Sequence, residues 1–127
     1  MNILVVGGGG REHAIITALK KSPKVEKLYA APGNAGISKM AECFDVKATD
    51  LDGILTLAKK LNPDYVFVAP DDPLVMGMVD LLNENGFKTF GPKANAAILE
   101  GSKVFSKTLM KKYNIPTAEY ETFSSAI

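Results

Sequence analysis

The sequence predicts an α/β domain built on a doubly wound, mainly parallel sheet of about five strands. Three observations lead there. Short apolar runs alternate with helical patterns of about ten residues, the pattern of successive βαβ units. Residues 65–69, Tyr-Val-Phe-Val-Ala, form a continuous apolar run, as a strand does when both faces of a parallel sheet are covered. Three strand ends run into loops rich in Gly, Pro and polar groups: 7–11, 31–36 and 69–74. In open parallel sheets ligands bind at that carboxyl edge.

The elements follow in order. Residues 2–6 are a β-branched apolar strand running into Gly7-Gly8-Gly9-Gly10. A helix is expected over 11–21, with Ala14, Ile15, Ala18 and Leu19 on one stripe. Ser22-Pro23 stops it, since proline disfavours helix at the residue before it. Residues 25–31 read as a second strand, closed by the turn-forming Pro32-Gly33-Asn34-Ala35-Gly36. Residues 43–46 read as a short third strand. Leu51, Ile54, Leu55, Ala58 and Leu61 recur at helical period. Thr49 is placed to cap that helix, with Asp52 in the capping-box position. After the strand at 65–69, Leu74, Val75, Met78, Val79 and Leu82 form another helical stripe. Gly86 is placed to end that helix in a left-handed turn. Residues 88–90 are a last short strand. From 94 to 113 the pattern is helical, interrupted at Gly101-Ser102. Residues 118–123 read as the start of a further strand with nothing after it to pair against. That leads to the expectation that the chain stops just inside a second domain. A disordered or edge-paired C-terminus is the alternative.

Composition bounds the function. A chain of 127 residues is one domain with room for a short tail. Hydrophobic residues at 46% and charged residues at 23% exclude a disordered or collagen-like chain. Fifteen basic against fourteen acidic residues leave a net charge of +1. No nucleic-acid or anionic-membrane partner is expected from that balance. The longest apolar run falls far short of the roughly 18 residues of a membrane helix. No signal peptide is expected, and a single cysteine, Cys43, suits a cytoplasmic protein.

Strand, four glycines, then helix is a natural anion site, because the first amides of a helix are unsatisfied and its dipole is positive there. The dinucleotide template G-x-G-x-x-G fails in both registers. Glu12 or His13 stands where the third glycine belongs, and the acidic residue about 20 positions on is missing. A P-loop is excluded. A small phosphorylated or anionic ligand remains, beside a turn-only role for the glycines. Arg11 can pair a phosphate or carboxylate bidentately. Glu12 suits the helix dipole. His13, the only histidine, has no second ligand nearby, so no metal site is expected. Asp71 is a candidate acceptor for ligand hydroxyls, with Asp72 as a helix cap preceding Pro73. Lys107, Lys111 and Lys112 read as a solvated helix face.

The motifs Val6-Gly7-Gly8-Gly9-Gly10-Arg11-Glu12-His13, Ala31-Pro32-Gly33-Asn34-Ala35-Gly36, Pro70-Asp71-Asp72-Pro73-Leu74, Phe90-Gly91-Pro92, Glu100-Gly101-Ser102-Lys103 and Ile115-Pro116-Thr117-Ala118 occur in this order. Together they resemble the phosphoribosylamine–glycine ligase family of the ATP-grasp superfamily, over essentially the whole chain. The resemblance implies a Rossmann-like domain over 1–100, which binds the substrate. It implies a linker helix and the truncated beginning of an ATP-grasp domain over 101–127. The activity implied is ATP-dependent joining of 5-phosphoribosylamine and glycine in purine biosynthesis, with ATP and Mg2+ held largely outside this segment. By the same resemblance, Gly9, Gly10, Arg11, Asn34, Gly36 and Asp71 bind the phosphoribosyl substrate and Lys103 faces ATP. No catalytic side chain and no metal ligand is implied here. Asp71 stands where the family usually has glutamate, one methylene longer. Gly8 stands where many members have asparagine, a change expected to be tolerated. A dinucleotide-binding module of an oxidoreductase is the competing reading.

Overall fold

The computed structural model describes residues 1–125. Five strands form one parallel sheet: β1 (Asn2–Gly7), β2 (Lys27–Pro32), β3 (Glu42–Cys43), β4 (Tyr65–Val68) and β5 (Thr89–Phe90). Their order is β3-β2-β1-β4-β5. The chain winds outward from β1 to β3, then returns to lay β4 on the other side of β1. The switch point therefore lies between the ends of β1 and β4, where Val6 pairs Val68.

Side chains alternate across a strand, and β1 shows why its run is apolar throughout. Leu4 and Val6 face a core with Val66, Val68, Ile54, Leu57, Met78 and Leu82. Ile3 and Val5 face a second core with Leu28, Ala30, Ile16 and Ile37. Both faces are covered, so no polar position is tolerated between residues 3 and 6.

Helix α1 (Gly10–Lys20) follows β1 directly. Its inward face is not the expected stripe. Ile16 is fully buried and Glu12 nearly so, Ile15 and Leu19 are half-buried, and Ala14 and Ala18 are exposed. Glu12 folds back onto the preceding loop on that inward face. Helix α2 (Leu51–Leu61) buries Ile54, Leu57 and Ala58. Its cap is Asp50 rather than Thr49, which lies one residue too early. The Asp50 carboxylate accepts from the Gly53 N–H at 2.9 Å. Asp50→Ala is expected to cost about 1 kcal/mol of stability by urea unfolding, the usual loss for an N-cap.

The stripe from Leu74 to Leu82 belongs to two helices, α3 (Asp71–Val75) and α4 (Met78–Glu84). Gly77, at φ +91, breaks them apart, while both parts still turn apolar residues inward. The cap of α3 is Pro70, so Asp72 lies inside the first turn. Pro73 is accommodated there because first-turn amides need no partner within the helix. Gly86 does take a left-handed conformation, φ +86. The third strand is shorter than expected; Phe44 and Val46 leave it to pack against the core.

The break at Gly101-Ser102 is present. Helix α5 (Ala94–Gly101) ends there, and Ser102 caps α6 (Lys103–Lys112), its hydroxyl accepting from the Phe105 N–H at 3.2 Å. No strand forms over 118–123. Pro116 interrupts the segment, and both sheet edges are two-residue strands that offer little to pair with. The segment instead lies along α6, where the Lys107 ammonium donates to the Thr117 hydroxyl and the Ala118 carbonyl. Lys107 is thus not simply solvated. Among the described residues no helix is long and apolar enough to cross a membrane.

Candidate functional site

The β1 and β4 ends deliver the site. Gly7 turns the chain off β1 at φ +130, and its carbonyl accepts from the Gly33 N–H at 3.0 Å. That bond ties the loop after β1 to the loop after β2. Asn34 adds a second tie: its amide donates to the Gly8 carbonyl at 2.9 Å, while its side-chain oxygen accepts from the Ile37 N–H at 2.9 Å. Gly36 packs beside His13. A Cβ there would lie 2.9 Å from the imidazole Cε1. Asn34 therefore braces the glycine loop from the side, and Gly36 packs against His13 in α1.

Gly9 is the N-cap of α1, and the helix closes with the His13 N–H donating to the Gly9 carbonyl at 3.0 Å. The Gly9 N–H donates to Glu12 Oε2 at 2.6 Å. The amides of Gly10, Arg11 and Glu12 come next, and no carbonyl of the helix can reach them. Arg11 reaches across the switch point. Its guanidinium donates to the Ala69 carbonyl at 3.2 Å and lies 3.6 Å from the Asp71 carboxylate. The two side chains are 62% and 42% exposed, so this pair adds little to stability and stays available to a ligand.

Gly9, Gly10, Arg11, Glu12, Pro70 and Asp71 line a cavity of about 380 Å3. The fold thus brings together four residues singled out from sequence, Gly9, Gly10, Arg11 and Asp71, and sets Asn34 and Gly36 behind them. Lys103 is elsewhere: with Leu99, Glu100, Ser106, Lys107 and Met110 it lines a separate hollow of about 340 Å3. A larger hollow of about 510 Å3 lies between the end of α6 and the segment after it. Size does not select the site, because that hollow lacks free helix amides beside a guanidinium. Among the described residues no group of three or more His, Cys, Asp or Glu could hold a metal ion.

The 380 Å3 cavity joins unpaired amides and a guanidinium to an acceptor carboxylate. That set suits a ligand with an anionic group at one end and hydroxyls nearby. Sequence reasoning missed the inward turn of Glu12. The available signal was its place three residues after the cap, the reciprocal half of a capping box. Gly8 packs closely against the loop after β2. A Cβ on Gly8 would lie 2.6 Å from the Gly33 carbonyl, so an asparagine there requires the Gly33 loop to stand further off.

The family description "Phosphoribosylglycinamide synthetase, N domain" matches residues 1–100. The chain belongs to this family. The phosphoribosylamine–glycine ligase of Listeria innocua is 51% identical over 125 residues, covering 98% of this chain and 30% of that protein. The ligase of Caldanaerobacter subterraneus is 48% identical over 123 residues, 97% of this chain and 30% of its own. The crystal structure of the Thermotoga maritima ligase superposes with a TM-score of 0.66 at 31% identity, over 95% of this chain and 27% of that one. The chain thus spans about 30% of the length of the curated relatives it matches. Membership of the synthetase N-domain family, with the failed glycine template, sets aside the oxidoreductase reading.

Proposed function

We propose that this chain serves an ATP-dependent ligase that joins 5-phosphoribosylamine to glycine in purine biosynthesis, and that it supplies the binding surface for the phosphoribosyl end. The observation that carries the reading is the cavity at the β1–β4 switch point, with unpaired Gly10 and Arg11 amides, the Arg11 guanidinium and the Asp71 carboxylate on its walls. The amides and the helix dipole receive the phosphate. Arg11 adds a charged fork. Asp71 accepts hydrogen bonds from ribose hydroxyls. Such a surface works by orientation: it fixes the reacting amine relative to the rest of the enzyme. No nucleophilic side chain is asked of it.

ATP and Mg2+ belong to this reading as the source of the phosphoryl group that activates glycine. Lys103 offers an ammonium group beside the apolar flanks of Leu99 and Met110, while the Lys107 ammonium in the same hollow is engaged by Thr117 and Ala118. That donor set fits the phosphate chain of ATP and not the metal. The same reading assigns residues 1–100 to the substrate domain and 101–127 to a linker helix and the beginning of the ATP-grasp part. It places the protein in the cytoplasm with small-molecule substrates, and with neither nucleic acid nor membrane as partner.

Asp71→Ala in a full-length ligase carrying these residues tests the ribose contact. The expected result is a KM for phosphoribosylamine raised about tenfold, one lost hydrogen bond to a charged group, with the KM for ATP unchanged. Unaltered kinetics would remove Asp71 from the site.

A further inference from the structure

Glu12 is the one charged residue buried among those described, at 5% exposure. Arg11, its neighbour, pairs with Asp71 instead. A buried carboxylate without a cation is costly unless it is well hydrogen-bonded, and here the partner is the Gly9 N–H at 2.6 Å. The side chain runs back beneath the loop. A Cβ on Gly7 would lie 2.5 Å from Glu12 Cγ, and one on Gly9 would lie 2.9 Å from Glu12 Oε2. Gly9 itself has an ordinary extended backbone, φ −96 and ψ −173. The only atom crowding a side chain at Gly9 is that carboxylate oxygen. Gly8 is held to glycine by the Gly33 carbonyl, and only Gly10 has open space where a Cβ would be. The glycine content of the loop is therefore set largely from inside.

We propose that Glu12 is a positioning residue: its buried carboxylate clamps the Gly9 amide and so fixes the backbone of Gly10 and Arg11 at the wall of the cavity. The inference rests on the phosphoribosyl reading of that cavity. Gly9 on this account is held by the protein, and the amides left for the phosphate are those that follow it. Without Glu12, the Gly9 N–H is released and the loop is held only through its carbonyls, by Asn34 at Gly8 and by the His13 N–H at Gly9, so the Gly10 and Arg11 amides are less firmly placed before ligand arrives. Glutamine keeps an oxygen that can accept from Gly9; alanine does not.

The test measures the affinity of a full-length ligase for glycinamide ribonucleotide and for ATP by calorimetry. The variants are Glu12→Ala, Glu12→Gln and Gly9→Ala. Glu12→Ala is expected to weaken ribonucleotide binding about tenfold or more, leaving ATP affinity unchanged, and Glu12→Gln to recover most of the loss. Gly9→Ala displaces the carboxylate, so it weakens ribonucleotide binding by itself and adds nothing to Glu12→Ala. Three results would overturn the proposal: ribonucleotide binding unaffected by Glu12→Ala, equal losses for ATP and ribonucleotide, or no recovery with glutamine. Should Glu12→Ala fail to fold, the Gln and Gly9 variants decide, since Gly9→Ala without effect on ribonucleotide affinity also overturns it. A Gly10→Asp enzyme run alongside separates the two levels. If it binds ribonucleotide normally, the phosphoribosyl reading fails. If it loses binding while the Glu12 and Gly9 variants keep theirs, only the positioning role fails.

Discussion

Gly10→Asp is expected to abolish ribonucleotide binding while leaving the fold as stable as before or slightly more so. Gly10 is the first residue of α1, and a Cβ there meets nothing within 4 Å. Removing a helical glycine lowers the conformational entropy of the unfolded chain, by about 0.5–1 kcal/mol. A carboxylate in the first turn of a helix also faces the positive end of its dipole, worth about 0.3–1 kcal/mol. Both effects favour the folded state. The same carboxylate stands where the phosphate would sit. Like charges brought together at a binding surface cost several kcal/mol, so affinity falls by about a hundredfold or more. Gly10→Ala is the control and should bind nearly as the parent does. Calorimetric affinity and a thermal melt on the same samples read out both halves.

Gly7→Ala is expected to have the largest effect on stability. Gly7 sits at φ +130, where an L side chain is strained at about 1–3 kcal/mol. Its Cβ would also press on Glu12 Cγ at 2.5 Å and on the Pro70 ring at 3.0 Å. Glu12 is buried and Pro70 caps α3, so neither moves without disturbing an element. A total cost of about 3 kcal/mol or more follows, with a melting temperature lower by about 10 °C or more. The contrast with Gly10 is the point of the pair. Two glycines three positions apart in one loop differ because one faces packed atoms and the other faces open space.

Much of the fold was legible because local pattern and tertiary role agree. The runs at 3–6 and 66–69 are apolar at every position because both faces of β1 and β4 are covered there. The α2 stripe is regular because that helix lies flat on one core. Legibility failed where a backbone conformation overrides the pattern. The stripe across residues 74–82 hides the bend at Gly77, since two short helices can point the same residues inward. The α1 stripe misled because the small residues Ala14 and Ala18 stay exposed, while the charged Glu12 is buried with its carboxylate bonded to the Gly9 N–H. The apparent strand at 118–123 has the composition, but the sheet edges offer only two-residue strands to join.

The site divides the same way. Gly10, Arg11 and Asp71 could be placed at one edge from the order of the elements alone, because strand ends converge there in any doubly wound sheet. The bracing of the loop by Asn34 and Glu12 needed coordinates. It depends on contacts between the ends of β1 and β2, and on a side chain folding back upon its own helix start. The contacts between strand ends leave no spacing in the sequence, and Glu12 leaves only its place three residues after the cap.

The most direct test of the central claim is a crystal structure of a full-length ligase carrying these residues, with glycinamide ribonucleotide bound. The expected result places phosphate oxygens about 3 Å from the Gly10 and Arg11 amides, with a ribose hydroxyl on the Asp71 carboxylate. A phosphate bound away from this loop, with Arg11 still paired to Asp71 and the cavity empty, would contradict it.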